Sequence, residues 1–274
     1  LDNKKAYTTA TYTDSSYNDI YQIDLEKHIY RKLRNATGDA SSMMEIQVNG
    51  DYAVWRQEGE IALLNLDSMQ FKLITDNAMG PLHYYPYTDG HYAVWMNSKG
   101  ESDEFEIWLY DISTSSYSII APQSQEYPIN RFYPVLNGEY AAWRNDNYSL
   151  PDDEERTELI LYTLINGLEE KIETTESVSR PFLNDHKLLW DEGAKIRLRD
   201  LNKKETINIT DDSVNGLQFA PRASGRWLIY SDQLRFPYPD ETTIKRGSDV
   251  VLFDLCTLDW YKGEEMCAGV LHGE

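Results

Sequence analysis

The chain reads as all-β, a six-bladed β-propeller of four-stranded antiparallel blades, and three features of its 274 residues say so. A strand–turn–strand unit returns five times, each copy ending in an aromatic residue: Trp55, Trp95, Trp143, Trp190 and Tyr230, at steps of 40 to 48 residues. After each aromatic come an apolar run ending in Asp-Leu or a relative of it and, after the first four, a short polar run. The chain ends carry two complementary fragments of a sixth unit. Four short strands per period of this length mark a propeller blade. The runs are too short and too rich in Val, Ile, Tyr and Trp for a helical repeat.

The clearest copy of the first element is Pro134-Val-Leu-Asn-Gly-Glu-Tyr-Ala-Ala-Trp143. Pro86 to Trp95, Pro181 to Trp190 and Pro221 to Tyr230 repeat it, and Gln47 to Trp55 does so without the proline. In all five the aromatic lies five residues beyond the Gly or Asp of the turn, which predicts a strand, a tight turn and a second strand with a buried aromatic. Equivalent positions fill equivalent spaces between sheets, so these aromatics are read as packing rather than as a stacking platform for sugars or bases. Pro86, Pro134, Pro181 and Pro221 lack the donor a sheet interior needs and suit an innermost edge strand.

The third strands are Ile61–Leu66, Ile107–Ile112, Leu159–Leu164, Ile196–Leu201 and Val250–Leu255. Asp24, Asp111, Asp200 and Asp254 recur at equivalent strand ends, the first in the N-terminal partial unit, and are read as turn-capping residues. The polar fourth strands are Gln70–Thr75, Ser116–Ile120, Glu170–Glu173 and Glu205–Thr210. At the N-terminus, Lys5–Tyr12, Asp19–Leu25 and His28–Leu33 supply strands two to four of a unit whose first strand is missing. Val270-Leu-His-Gly-Glu274 can be laid over Val135-Leu-Asn-Gly-Glu139, so the C-terminal strand is expected to enter the first blade and close the ring. The expected blades are 266–274 plus 4–34, 43–75, 82–121, 131–174, 179–210 and 217–262, one domain over 1–274 with no Pro/Ser/Gly linker.

Twenty-six basic against 46 acidic residues give a net charge of −20, which argues against nucleic acid and against an anionic membrane surface. No run of eighteen apolar residues exists, so no membrane span is predicted. The chain starts at Leu1 without an initiator Met or signal segment and reads as a mature form or an excised domain. Cys256 and Cys267 are its only cysteines, and either a disulfide stapling the closure or two independent buried thiols fits their spacing.

Three links between second and third strands are long, 96 to 104, 144 to 158 and 231 to 248, and build relief on one face, where binding sites tend to lie. The last contains Arg235, Phe236 and Tyr238, an aromatic–arginine mixture suited to a protein or sugar contact. Innermost strands begin with His83, Tyr84 and Tyr85, with Arg131, Phe132 and Tyr133, with Arg180, and with Gln218 and Phe219. Arginines there suit a carboxylate or an acidic peptide end, or serve to offset neighbouring carboxylates. No nucleophile elbow, zinc pair or phosphate-gripping glycine loop is present, and the five histidines are dispersed. No cofactor is predicted; calcium is left open by the acidic composition.

The unit Pro-x-x-Asn/Asp-Gly-x-x-Ala-x-Trp, followed by Ile-x-Leu-x-Asp-Leu and a polar strand ending in Ile-Thr, resembles the WD40-like repeats of the TolB-like six-bladed propellers. The resemblance runs from Lys5 to Gly273. Tyr85, Tyr133, Arg180 and Ala220 stand where that family has serine before the proline. The resemblance implies an extracytoplasmic location, periplasmic, secreted or at the cell surface, and a protein-binding role. Related propellers include non-catalytic domains of peptidases and lyases that use histidine-bound metal. The reading favours a non-catalytic module that engages a protein or peptide through the long-loop face, at Arg131, Tyr133, Arg180, His83, Tyr85, Arg235, Phe236 and Tyr238. A polysaccharide-degrading enzyme with its site at the channel mouth is the alternative, and carbohydrate the second partner class. If the C-terminal strand closes the ring, deleting 266–273 lowers the melting temperature of the whole chain in calorimetry, whereas loss of a frayed end leaves it in place.

Overall fold

The computed structural model describes residues 5–11, 18–35, 46–76, 78–98, 100, 104–124, 129–147, 156–210, 217–233, 249–258 and 267. They fall into two compact units, Leu1–Ile172 and Glu173–Glu274. Every strand pair is antiparallel, as hairpin connections require.

The first unit holds four sheets, each in chain order across its width. The first is β1 (Lys5–Thr11), β2 (Asn18–Asp24) and β3 (Ile29–Asn35). The second is β4 (Gln47–Asn49), β5 (Tyr52–Gln57), β6 (Glu60–Asn65) and β7 (Phe71–Leu73). The third is β8 (Leu82–Thr88), β9 (Tyr92–Ser98), β10 (Phe105–Asp111) and β11 (Ser116–Ala121). The fourth is β12 (Ile129–Leu136), β13 (Tyr140–Asn147), β14 (Arg156–Thr163) and β15 (Leu168–Ile172). In the second unit, β16 (Phe182–Asn184), β17 (Lys187–Glu192), β18 (Lys195–Asp200) and β19 (Glu205–Asn208) form one sheet. β20 (Leu217–Ser224), β21 (Trp227–Gln233) and β22 (Asp249–Asp254) form the other, followed by a 3-10 turn at Leu255–Thr257.

Turn chemistry sets the strand ends. The Asp24 carboxylate accepts the backbone N–H groups of Glu26 and Lys27, Asp111 those of Ser113 and Thr114, and Asp200 those of Asn202 and Lys203. Asp254 accepts the N–H of Cys256, so all four recurring aspartates cap their turns. Two hairpins have two-residue turns with both central residues left-handed: Glu58 and Gly59 (φ 53° and 91°), and Gly193 and Ala194 (φ 55° and 74°).

The recurring tryptophans are the interior. Trp55, Trp95, Trp143 and Trp190 are at most 1 % exposed. Trp95 packs with Val54, Ile61 and Leu63 of the preceding sheet, and Trp143 with Val94, Ile107 and Leu109 of the third. In the second unit Tyr230 takes this place against Leu189, Ile196 and Leu198. Three indole N–H groups donate to the side chain two residues on: Trp55 to Gln57 (3.3 Å), Trp143 to Asn145 (3.0 Å) and Trp190 to Glu192 (3.0 Å). Successive side chains alternate across a strand, so the second residue along lies on the same face and the acceptor is buried with its donor.

The expectation of three long links changes. Strand pairing continues into the links read as starting at 96, 144 and 231: Ser98 pairs with Phe105, Asn147 with Arg156, and Asp232 with Asp249. Met96–Ser98, Arg144–Asn147 and 231–233 therefore belong to β9, β13 and β21, and the links are shorter than the sequence suggested. Residues 148–155 and 234–248, with the closing segment 268–274, lie outside the described residues, and the first and last sheets show three strands each among those described.

Cys256 and Cys267 form a disulfide with Cα atoms 5.5 Å apart, packed with Leu228 and Leu255. A loop with a sequence separation of 11 removes about 3 kcal/mol of chain entropy from the unfolded state. Replacing both cysteines by serine should therefore lower the unfolding free energy of the second unit by about 3 kcal/mol in urea titrations.

Candidate functional site

Two first strands in the first unit carry the same backbone irregularity. Pairing of β8 with β9 slips between Tyr84 and Tyr87, and that of β12 with β13 between Phe132 and Val135. At each slip stands a residue followed by proline, with the residue left-handed: Tyr85 at φ 49° and Tyr133 at φ 56°. Proline supplies no N–H to the ladder, and the chain answers with a bulge. A left-handed non-glycine residue costs on the order of 1–3 kcal/mol. The same device occurs in the second unit at Ala220 before Pro221, where β20 slips against β21.

The bulge breaks strict alternation of faces. His83 and Arg131, just before it, are buried at 0 % and 8 % exposure, and Pro86 and Pro134 after it are buried too. Tyr84, Tyr85, Phe132 and Tyr133 are left half-exposed as two adjacent pairs. Together with Phe105 of β10 they close a circuit of ring contacts. Tyr85 meets Tyr133 edge-on with centroids 4.7 Å apart, Tyr133 meets Phe132 (5.9 Å), Phe132 meets Phe105 (6.0 Å), Phe105 meets Tyr84 (5.9 Å), and Tyr84 returns to Tyr85 (6.4 Å). Edge-to-face and tilted pairs at these separations are the favoured geometries.

Arginines flank the circuit. The Arg56 guanidinium lies 4.3 Å from the Tyr84 ring centre, and that of Arg144 lies 5.1 Å from Phe132 and 5.3 Å from Tyr133. An ion pair with Asp146 (2.6 Å) holds Arg144 in place. Arg131 donates from below to the carbonyl of Phe105 (3.3 Å). Burial lowers its pKa, opposed by Glu169, Glu106 and Glu104. His83 sits 3.4 Å from Glu60, whose carboxylate also accepts the Thr75 hydroxyl. Burial pushes the imidazole below its ordinary value of 6.5, against the pull of Glu60, while Arg56 adds to the lowering.

Of the residues named from sequence, Tyr85 and Tyr133 meet in this circuit, and His83 and Arg131 support it from the interior. Arg180 belongs to the second unit, half-buried ahead of β16. Arg235, Phe236 and Tyr238 lie outside the described residues. Sequence reasoning passed over Arg56, Phe105 and Arg144. The available signal was that Arg56 and Arg144 each directly follow a recurring tryptophan.

In the second unit, Asp191 and Glu192 are neighbours in β17 with opposite shifts. Burial raises the Asp191 pKa, against the Ser179 hydroxyl, the Ala220 N–H and Arg222. Burial works the same way on Glu192 but is outweighed by the Thr175 N–H and hydroxyl, the Trp190 indole and Arg197, so its pKa falls. Adjacent strand residues point to opposite faces, so these two do not converge on one bond. Among the described residues no group of three or more His, Cys, Asp or Glu is placed to hold a metal ion.

No family model matches the chain. No curated protein matches it either. Solved structures do. TolB from Acinetobacter baumannii is similar over 77 % of this chain and 52 % of its own, at 14 % identity and a TM-score of 0.52, so the chain spans about half the length of that protein. The β-propeller domain of the Trilobed protease from Pyrococcus furiosus covers 93 % of this chain, and 79 % of its own length is matched, at 12 % identity and a TM-score of 0.65. An oligogalacturonate lyase from Vibrio parahaemolyticus covers 92 % of this chain and is matched over 78 % of itself, at 10 % identity and 0.57. The chain is a six-bladed β-propeller of mainly four-stranded antiparallel sheets, with weak structural likeness to TolB-like proteins.

The buried histidine yields a pH prediction. A depressed folded pKa means the unfolded chain binds more protons as pH falls below 6.5, so stability present above that value is lost on acidification. The unfolding free energy should drop by up to ~1.4 kcal/mol per pH unit below it, until the folded pKa is passed. His83→Gln should flatten that part of the stability–pH curve, measured by denaturant titration across pH 7 to about 5.

Proposed function

We propose that this propeller is a non-catalytic, extracytoplasmic binding module that engages a protein or peptide segment through the aromatic–arginine surface of β8 and β12. The observation that carries the reading is the closed circuit of Tyr84, Tyr85, Tyr133, Phe132 and Phe105 with Arg56 and Arg144 stacked on it. Half-exposed tyrosines beside arginines are the residue types that dominate binding energy at protein interfaces. Rings already locked against one another lose little conformational entropy when a partner arrives. His83 and Arg131 act as positioning residues beneath the surface. Arg180, Arg235, Phe236 and Tyr238 remain separate candidates for contact, proposed from sequence and independent of this surface.

A carbohydrate-acting enzyme is the second reading. Likeness to an oligogalacturonate lyase favours it, and aromatic faces also stack on sugar rings. It calls for acids or histidines drawn together from several blades.

Selection from a displayed peptide library, set beside a panel of acidic and neutral polysaccharides assayed for binding and cleavage, separates the two. Tyr85→Gly and Tyr133→Gly remove a ring while suiting the left-handed backbone. Each should weaken selected peptides by at least about tenfold, with the melting temperature little changed. Polysaccharide cleavage by the purified chain, lost on changing one carboxylate or histidine, would overturn the non-catalytic reading.

A further inference from the structure

The first sheet breaks a pattern that four others keep. At one row across the second and third strands, facing residues are Val54 with Leu63, Val94 with Leu109, Ala142 with Leu161, and Leu189 with Leu198. All eight are buried. In the first sheet the row reads Tyr7 with Gln22, continued on β3 by Arg31. This is not a solvent-facing end of the repeat. Ile20, two residues before Gln22 on the same face, is fully buried with Ala53 and Trp55 of the second sheet. The polar row thus looks onto the second sheet, where the other rows carry apolar core.

A polar pocket of ~300 Å³, open to solvent, lies over this row, beside the apolar contacts of Ile20 with Ala53 and Trp55. Lys5, Tyr7, Gln22 and Arg31 of the first sheet line it, with Asp51 and Asp67 from two turns of the second. Gln22 donates its side-chain N–H to the Tyr7 hydroxyl (2.9 Å), which leaves the phenolic proton free to donate and the Gln22 carbonyl free to accept. Among the described residues neither Lys5 nor Arg31 forms an ion pair, although Asp51 and Asp67 line the same cavity. Arg31 rests instead against the Met69 thioether (3.9 Å).

We infer that this cavity binds a small zwitterion of amino-acid or dipeptide size. The guanidinium, ammonium and phenol on one wall match a carboxylate, and guanidinium–carboxylate pairs are favoured in two-point geometry. The aspartates of the opposite wall match an ammonium group. The volume equals that of roughly ten liquid waters, enough for a dipeptide. The site is separate from the aromatic surface and does not rest on its proposed role.

Titration calorimetry with glycylglycine, N-acetylglycylglycine and glycylglycinamide tests the inference on the intact chain. The free dipeptide should bind, and each blocked form, lacking one of the two charges, should bind at least about tenfold more weakly. Arg31→Gln and Asp67→Asn should each cost at least about tenfold. Gln22→Leu, which installs the residue the other sheets use, should abolish binding while the melting temperature holds or rises. Absence of binding by the free dipeptide, equal affinity for the blocked forms, or unchanged binding in Gln22→Leu would each overturn it.

Discussion

A buried indole makes two demands at once: its rings need apolar neighbours on the adjoining sheet, and its N–H needs an acceptor where water does not reach. Trp143 meets the first through Val94, Ile107 and Leu109, and the second through Asn145. The pairing of tryptophan with a polar residue two positions on therefore repeats, with Gln57, Asn145 and Glu192 as acceptors. An unpaired buried N–H costs about 1–3 kcal/mol, comparable to the gain from burying a large side chain. The third sheet departs from this: Asn97 donates to the carbonyl of Met79 (2.9 Å), and Trp95 keeps no acceptor among the described residues. That sheet also carries His83, opposite Asn97 in register, so the irregular polar interior lies directly beneath the aromatic surface.

Regular packing between sheets leaves irregularity to the first strands, where pairing is one-sided. Proline at 86 and 134 interrupts the ladder, and the left-handed residue ahead of it turns two consecutive aromatics outward. Strain of a few kcal/mol is held by the buried prolines and by the polar residues beneath, and the result is an aromatic surface whose rings are already locked against one another. Gly80 shows how tightly the supporting backbone is drawn: a Cβ there would lie 2.1 Å from the carbonyl oxygen of Ser98, at the end of β9. The polar row of the first sheet differs again, setting a solvent-open polar pocket beside the apolar contacts of Ile20.

Local chemistry made much of this legible in the sequence. The turn residues, the period-two alternation and the recurring tryptophans determined sheet number, strand order and the buried aromatics, because each depends on neighbours a few positions away. The four aspartates could be assigned to turns for the same reason. Tyr85 and Tyr133 could be named as candidates because they open innermost strands, which begin at the channel entrance of a propeller. Only the tertiary structure decided that they touch each other and that Phe105, Arg56 and Arg144 join them, since these contacts span separate strands and their distances follow from how sheets pack. It also decided that His83 and Arg131 are buried while their neighbours are not. A bulge of one residue reverses which face a side chain occupies, and no spacing rule in the sequence shows where the ladder slips.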